Sequence, residues 1–233
     1  VSLAPFASMN LGNTVGDAAQ QTQRNQGILR GALGAKPVFL KQVHGVDTLE
    51  LTPETPSGLC ADGAFTPSRG LACTVTVADC LPVLLCDQAG TLVAAVHAGW
   101  RGLAGAQGEG VLEAICKRFE QLAPVNSAGN AIRLIAWLGP CIGPQAFEVG
   151  PEVRCAFMAT SAQAQSCFTP LPGQKWLADL PALARQRLEA LGVLQVYGND
   201  GSASWCTYSN PSRFFSYRRD GVTGRQAACI WLE

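Results

Sequence analysis

Charged residues make up only 15% of this 233-residue chain, and lysine plus arginine equal aspartate plus glutamate at 17 each. That balance removes both the basic field that holds nucleic acid and the acidic tract of a solvating tail, so no nucleic-acid partner is expected. No apolar stretch approaches the ~18 residues that cross a bilayer, so no membrane partner is expected either. The first ten residues lack the basic region and long apolar run of a secretion leader. Internal repeats, low-complexity tracts and long linkers are also missing, and the expectation is a single domain over residues 1–233. Recognition must then come from local groups, which makes a small molecule the natural partner class.

Cysteine is plentiful, at ten residues, but no C-x-x-C pair occurs. This removes the zinc-finger and thioredoxin readings. Ten in 233 also falls below the ~8–10% of disulfide scaffolds. Cys73, Cys86, Cys116, Cys155 and Cys229 sit in apolar sequence surroundings, where a free thiol behaves as a small hydrophobe. Reduced thiols and a cytoplasmic location follow as expectations.

Regular structure is legible in the apolar pattern. Residues 71–77 alternate, with Leu71, Cys73, Val75 and Val77 on one face, as a half-buried strand does. Residues 81–86 and 91–97 are short runs rich in Val and Leu, joined by Asp87-Gln88-Ala89-Gly90, which reads as a four-residue hairpin loop. Residues 131–138 and 226–232 are further strand candidates. Val111, Leu112, Ile115, Cys116, Phe119 and Leu122 form a helical stripe, and residues 178–191 read as a second helix with Pro181 in its first turn. Residues 52–58, 124–130 and 169–174 read as surface loops. The fold class expected is α+β, a single domain of mixed or antiparallel sheets flanked by helices.

Only two histidines occur. His44 closes the apolar segment 38–43 and precedes Gly45; His97 ends a strand and runs into Ala98-Gly99-Trp100-Arg101-Gly102. Strand ends that open into glycine-rich loops are where sites sit, because the scaffold aims the side chain and the loop gives access. If Cys86 pairs with Thr91 across the hairpin, Cys80 falls opposite His97. Opposed residues share a face with Cβ atoms ~4.5–5.5 Å apart, a separation that suits two ligands of one zinc ion. A slip of one residue would point them apart. The plainer alternative is a core histidine beside a core cysteine. Two histidines and one cysteine would leave a tetrahedral ion one open position, the mark of a catalytic site. Arg101 beside a glycine-rich helix entry is a candidate seat for phosphate.

Four ordered motifs carry a family resemblance: Lys41-Gln42-Val43-His44-Gly45, Ala78-Asp79-Cys80-Leu81-Pro82-Val83, His97-Ala98-Gly99-Trp100-Arg101-Gly102 and Gly139-Pro140-Cys141-Ile142-Gly143-Pro144. With Asn10-Leu11-Gly12 near the start and Arg218 to Gln226 near the end, the chain resembles the laccase-domain family. Bacterial members of that family are labelled polyphenol oxidase, purine nucleoside phosphorylase or peptidoglycan editing factor. The resemblance implies zinc held by His44, Cys80 and His97. It also implies phosphorolysis of adenosine, inosine, guanosine and methylthioadenosine, with deamination of adenosine. Arg101, Lys41 and Arg225 are then the candidate anion holders. The H-x-E and P-C-x-x-C signatures of zinc nucleobase deaminases are absent, so Asp62 and Asp79 are the candidate carboxylates for proton transfer. A second reading makes Cys80 a hydrolytic nucleophile with His44 or His97 as base, acting on cell-wall precursors, with or without zinc. A third is a binding protein with an incidental metal. Copper in a purified sample would reflect the affinity of any N/S site for Cu²⁺, since two histidines cannot furnish the several sites of a multicopper oxidase.

Overall fold

The alternating segment Leu71–Val77 forms a strand whose Leu71, Cys73 and Val75 point into an apolar layer, as its pattern requires. The structure, a computed structural model, describes residues 1–122 and 133–233. In chain order the elements are α1 (Ala19–Leu33), β1 (Lys36–Phe39), β2 (Thr48–Glu50), β3 (Gly63–Thr66), β4 (Leu71–Val77), β5 (Leu81–Asp87), β6 (Val93–Ala98), α2 (Trp100–Ala104) and α3 (Val111–Leu122). There follow β7 (Leu134–Leu138), β8 (Glu148–Val149), α4 (Pro151–Met158), β9 (Phe168–Leu171), β10 (Lys175–Ala178), α5 (Leu180–Ala190), β11 (Gln195–Gly198), α6 (Tyr217–Asp220) and β12 (Gln226–Trp231).

A six-stranded mixed sheet, ordered β11-β7-β5-β6-β3-β2, forms the centre. Its two faces are filled by opposite parities of the same strands. Leu81, Val83 and Leu85 of β5 and Ala94, Val96 and Ala98 of β6 meet the stripe of α3 and the apolar residues of α4 and α5. Val93 and Ala95 turn the other way, toward the three-stranded sheet β1-β4-β12. A third small sheet, β8-β10-β9, lies beside the helices. The α+β expectation therefore holds.

The stripe of α3 is buried at Val111, Leu112, Ile115, Cys116 and Phe119, while Leu122 is exposed. The second predicted helix is α5, with Asp179 as its N-cap accepting from the Ala182 N–H and Pro181 in its first turn. Residues 124–130 and the first two of the 131–138 candidate lie outside the described residues; the remainder of that strand is β7. Residues 52–58 form no regular element, as expected. Residues 169–174 differ from expectation: Thr169, Pro170 and Leu171 pair with β10, and only the turn at Gly173 remains. All ten cysteines are free, though Cys155 is exposed and not packed in apolar surroundings.

The hairpin register differs from the expected one. Cys86 pairs with Val93 and Pro82 with His97, so the strands are displaced by two residues. The cause is Asp87, whose carboxylate accepts from the N–H groups of Thr91 (2.7 Å) and Leu92 (2.9 Å) and from the Thr91 hydroxyl (2.6 Å). That capture widens the loop. A displacement of two preserves side-chain parity, so Cys80 keeps the face of His97 but sits diagonally from it, one residue before Leu81, the first paired residue of β5.

Candidate metal centre and cavity

The three donors come from places where the chain leaves one sheet for another. β1 belongs to the small sheet and β2 to the central one, and His44 lies on the crossing. β4 and β5 are likewise in different sheets, with Asp79-Cys80 between them. His97 comes from β6, directly between the layers. Both crossings bend through a non-glycine residue with positive φ, His44 at 60° and Asp79 at 98°. Side chains of this kind reach that region when local hydrogen bonds compensate.

For His44 the compensation is Asp62. Its carboxylate accepts from the backbone N–H groups of Val43 (3.1 Å), His44 (2.9 Å) and Gly45 (2.7 Å). The same group lies 2.8 Å from His97 Nδ1, and both side chains are buried. One carboxylate therefore orients both histidines. Burial works against its charge, but the His97 ring and the Gly45 and Val43 N–H groups hold it below its ordinary value. Asp79 is anchored by hydrogen bonds: its two oxygens accept from the Thr207 hydroxyl and the Arg218 N–H, each at 2.6 Å.

The result is a tight donor cluster. One ligand atom from each of His44, Cys80 and His97 lies within 4.8 Å of the others. Cys80 Sγ is 3.9 Å from His44 Nε2, and the imidazoles meet edge to face with centroids 4.8 Å apart. Tetrahedral zinc with N and S ligands separates its donors by about 3.3–3.6 Å, so a small closure about an ion completes the site. With Nδ1 turned to Asp62, His97 directs Nε2 to the cluster, the arrangement that metal-binding histidines adopt. Burial raises the Cys80 thiol, yet the facing His97 and His44 overcome this and bring it down to about 6. Burial alone would lower His97, but Cys80 and Asp62 push it up to about 9.

Gly99 closes the cluster from behind. A Cβ there would stand 3.1 Å from both Cys80 Sγ and His44 Cδ2. Its φ of −65° suits any residue, so the space explains the glycine and backbone conformation does not. Gly99→Val should fill the donor pocket and abolish metal retention while leaving the fold intact. Elemental analysis together with a circular-dichroism melt checks this: metal loss with Tm moved by less than about 4 °C, roughly 1 kcal/mol, is the expected result.

In front of the cluster opens a cavity of about 480 Å³, in the size range of small-molecule sites. His44, Cys80 and His97 line it, together with Lys41, Asp79, Arg225, Arg218, Phe147, Tyr217 and the loop Gly12-Asn13-Thr14. The structure thus gathers Lys41, Asp79 and Arg225 at the cluster. It does not gather Arg101, which is exposed and lies over the Trp100 ring at 4.4 Å. The glycines around Arg101 serve packing: a Cβ on Gly102 would stand 2.6 Å from the Gly45 carbonyl oxygen. Asp62 is behind the histidines and lines no part of the cavity. The sequence reading missed Phe147, Tyr217, Arg218 and the Gly12 loop as cavity residues. Their presence in two of the motifs, or beside one, was the available signal.

The fold and the cluster define a protein with one two-histidine, one-cysteine donor set beneath a ligand-sized cavity. The chain belongs to the family described as multi-copper polyphenol oxidoreductase laccase, whose model matches residues 1–233. It is 50% identical over 234 residues to purine nucleoside phosphorylase YfiH of Escherichia coli K12, covering 100% of this chain and 89% of that one. It is 48% identical over 236 residues to purine nucleoside phosphorylase PA4543 of Pseudomonas aeruginosa, with the same coverage. Among solved structures, Neisseria meningitidis protein NMB0706 superimposes with a TM-score of 0.88 at 41% identity, covering 100% of this chain and 90% of that one. YlmD from Geobacillus stearothermophilus gives 0.86 at 28% identity, with 100% and 87% covered. The family description speaks of several coppers. Both histidines of this chain are already in one cluster, the one group of three or more candidate donors among the described residues, and further copper sites would need histidines the sequence lacks. No helix among the described residues is long and apolar enough to cross a membrane.

Proposed function

We propose that this protein is a zinc-dependent purine nucleoside phosphorylase, acting on adenosine, inosine, guanosine and methylthioadenosine, with adenosine deamination as a second activity. The observation that carries this reading is the convergence of His44, Cys80 and His97 on the floor of a cavity that also contains Lys41 and Arg225. The names of relatives at 50% and 48% identity support it. The donor set fits zinc: borderline-soft N and S atoms, one imidazole oriented by a buried carboxylate, and a glycine that keeps the space clear. A zinc ion held there supplies Lewis-acid polarisation of an oxygen ligand.

In phosphorolysis a phosphate oxygen bonds to ribose C1′ as the bond from C1′ to the purine nitrogen breaks. The electron pair leaves with the purine, which takes up a proton. Lys41 and Arg225 hold the phosphate against its own charge, and Phe147 and Tyr217 offer aromatic surface for the purine. Of the two carboxylates singled out in the sequence, Asp79 alone lines the cavity, and it is the one placed to move protons in deamination. Incubation with inosine and phosphate should yield hypoxanthine and ribose 1-phosphate, and adenosine should also yield inosine. Metal-loaded protein that forms none of these products overturns the reading.

One observation favours a second reading. The low pKa of Cys80 beside His97 is that of a thiolate–imidazolium pair, which suits a hydrolytic nucleophile editing peptidoglycan precursors. In metal-free protein, alkylation of Cys80 by iodoacetamide should be fast at pH 7 and fall as pH drops through about 6, where the thiolate is protonated. Metal-free protein that is active and is silenced by this alkylation supports the hydrolase; zinc protection of Cys80 with activity requiring zinc supports the phosphorylase.

A further inference from the structure

Two motifs at opposite ends of the chain, Asn10-Leu11-Gly12 and Thr223-Gly224-Arg225, have no part in the donor cluster, yet the structure makes them one unit. The Leu11 N–H donates to the Arg225 carbonyl at 2.9 Å. The Arg225 N–H donates to Asn10 Oδ1 at 2.9 Å, and the Gly12 N–H donates to the same atom at 2.9 Å. Asn10 is wholly buried, and its Nδ2 donates to Gly12 O, Asp17 Oδ2 and Thr22 Oγ1. Thr22 and Asn25 are the buried residues of α1, and Asn25 donates to the Asn10 carbonyl. A helix with no apolar stripe is thus held by the same polar network.

Arg225 is fixed along its length. A Cβ on Gly12 would stand 2.7 Å from Arg225 Cγ, so the bare glycine is what lets the stem pass. Nη1 donates to the carbonyls of Thr223 and Gly224, each at 3.0 Å, and the guanidinium carbon lies 5.9 Å from the Tyr217 ring centroid. Among the described residues, Nε and Nη2 have no hydrogen-bond partner and no carboxylate lies within ion-pair distance. A half-buried cation of this kind is incompletely compensated until an anion binds. Its planar fork, pinned at one nitrogen, presents the remaining donors in a fixed direction at the cavity.

We infer that Asn10 and Gly12 are positioning residues for Arg225: they hold its free guanidinium edge at the cavity as the seat of the oxyanion co-substrate, inorganic phosphate. The inference rests on the phosphorolysis reading for the identity of the anion. The test compares wild type, Gly12→Ala, Arg225→Gln and the double variant, each zinc-loaded, by phosphate and inosine KM and by calorimetric binding of inorganic phosphate. Gly12→Ala should raise both the phosphate KM and its Kd about tenfold, within the range that ångström-scale misplacement of a binding group produces. The inosine KM should stay within about twofold, because the displaced contact is to phosphate alone. In the Arg225→Gln background Gly12→Ala should add nothing, since coupled groups are not additive. Unchanged phosphate constants in Gly12→Ala, an equal rise in inosine KM, or full additivity with Arg225→Gln overturns the inference. Wild-type protein that binds phosphate without phosphorolysis overturns the proposed function, while the calorimetric comparison still decides this inference. Wild type that neither binds nor uses phosphate overturns both.

Discussion

Replacement of Cys80 by alanine should yield folded protein that retains no zinc and loses phosphorolysis by more than about a hundredfold, the upper cost of disturbing a neighbour of a ligand. Cys80 is the one sulfur atom of the cluster, and the change removes only its Sγ, leaving the backbone pairing of β5, which begins at Leu81, untouched. The fold should therefore survive, and the loss is chemical. Two nitrogens remain, too few to hold zinc against a chelator. Cys80→Ser separates the readings further: an alkoxide-forming serine would leave a weak hydrolase, whereas a zinc site that has lost its thiolate is inactive. Zinc content, Tm and turnover measured on the same preparation check the prediction.

Asp62→Asn should lower zinc affinity by about 10–100-fold, as the loss of a partner that orients a metal ligand does. The change is nearly isosteric, and its effect comes from donor count. The carboxylate accepts from three backbone N–H groups and from the His97 ring. An amide has one acceptor oxygen and an NH₂ group, which must face at least one donor. Each buried donor left without a partner costs about 1–3 kcal/mol. His44 would relax from its positive φ, and His97 would be free to turn its ring. Competition with a chromophoric zinc chelator measures the affinity, and chemical denaturation measures the stability. Wild-type affinity in Asp62→Asn would remove Asp62 from the account of the site.

Pattern and chemistry were legible to different depths. The stripe of α3 could be read because its apolar period matches the face it buries; strand 71–77 could be read from its alternation, though Ala72 and Thr74 on its other face are buried as well. Helix α1 could not, because its buried residues are Thr22 and Asn25 and its packing is hydrogen-bonded. The 169–174 segment reads as a loop from its Pro and Gly, yet Pro170 sits in a short outer strand where a missing N–H is tolerated. At the site, residue types and motifs named the three residues that the structure brings into one cluster. The expected opposition of Cys80 and His97 was displaced by two residues because Asp87 captures Thr91 and Leu92, which composition does not reveal. Asp62 is named by the sequence only as a candidate carboxylate for proton transfer; its hold on both histidines depends on the crossing at His44, a property of the layered sheets and not of any local pattern. Arg101, two residues after Gly99 in sequence, is exposed in the short helix α2 and does not line the cavity.

In the proposed reading, His44, Cys80 and His97 together hold one zinc ion at the cavity floor. Anomalous diffraction at the zinc absorption edge checks this. The expected result is one strong peak per chain, bonded to both imidazoles and to Cys80 Sγ, with the remaining position directed into the cavity. A catalytically active crystal with no peak at that place, or with Cys80 unbonded to the metal, would contradict it.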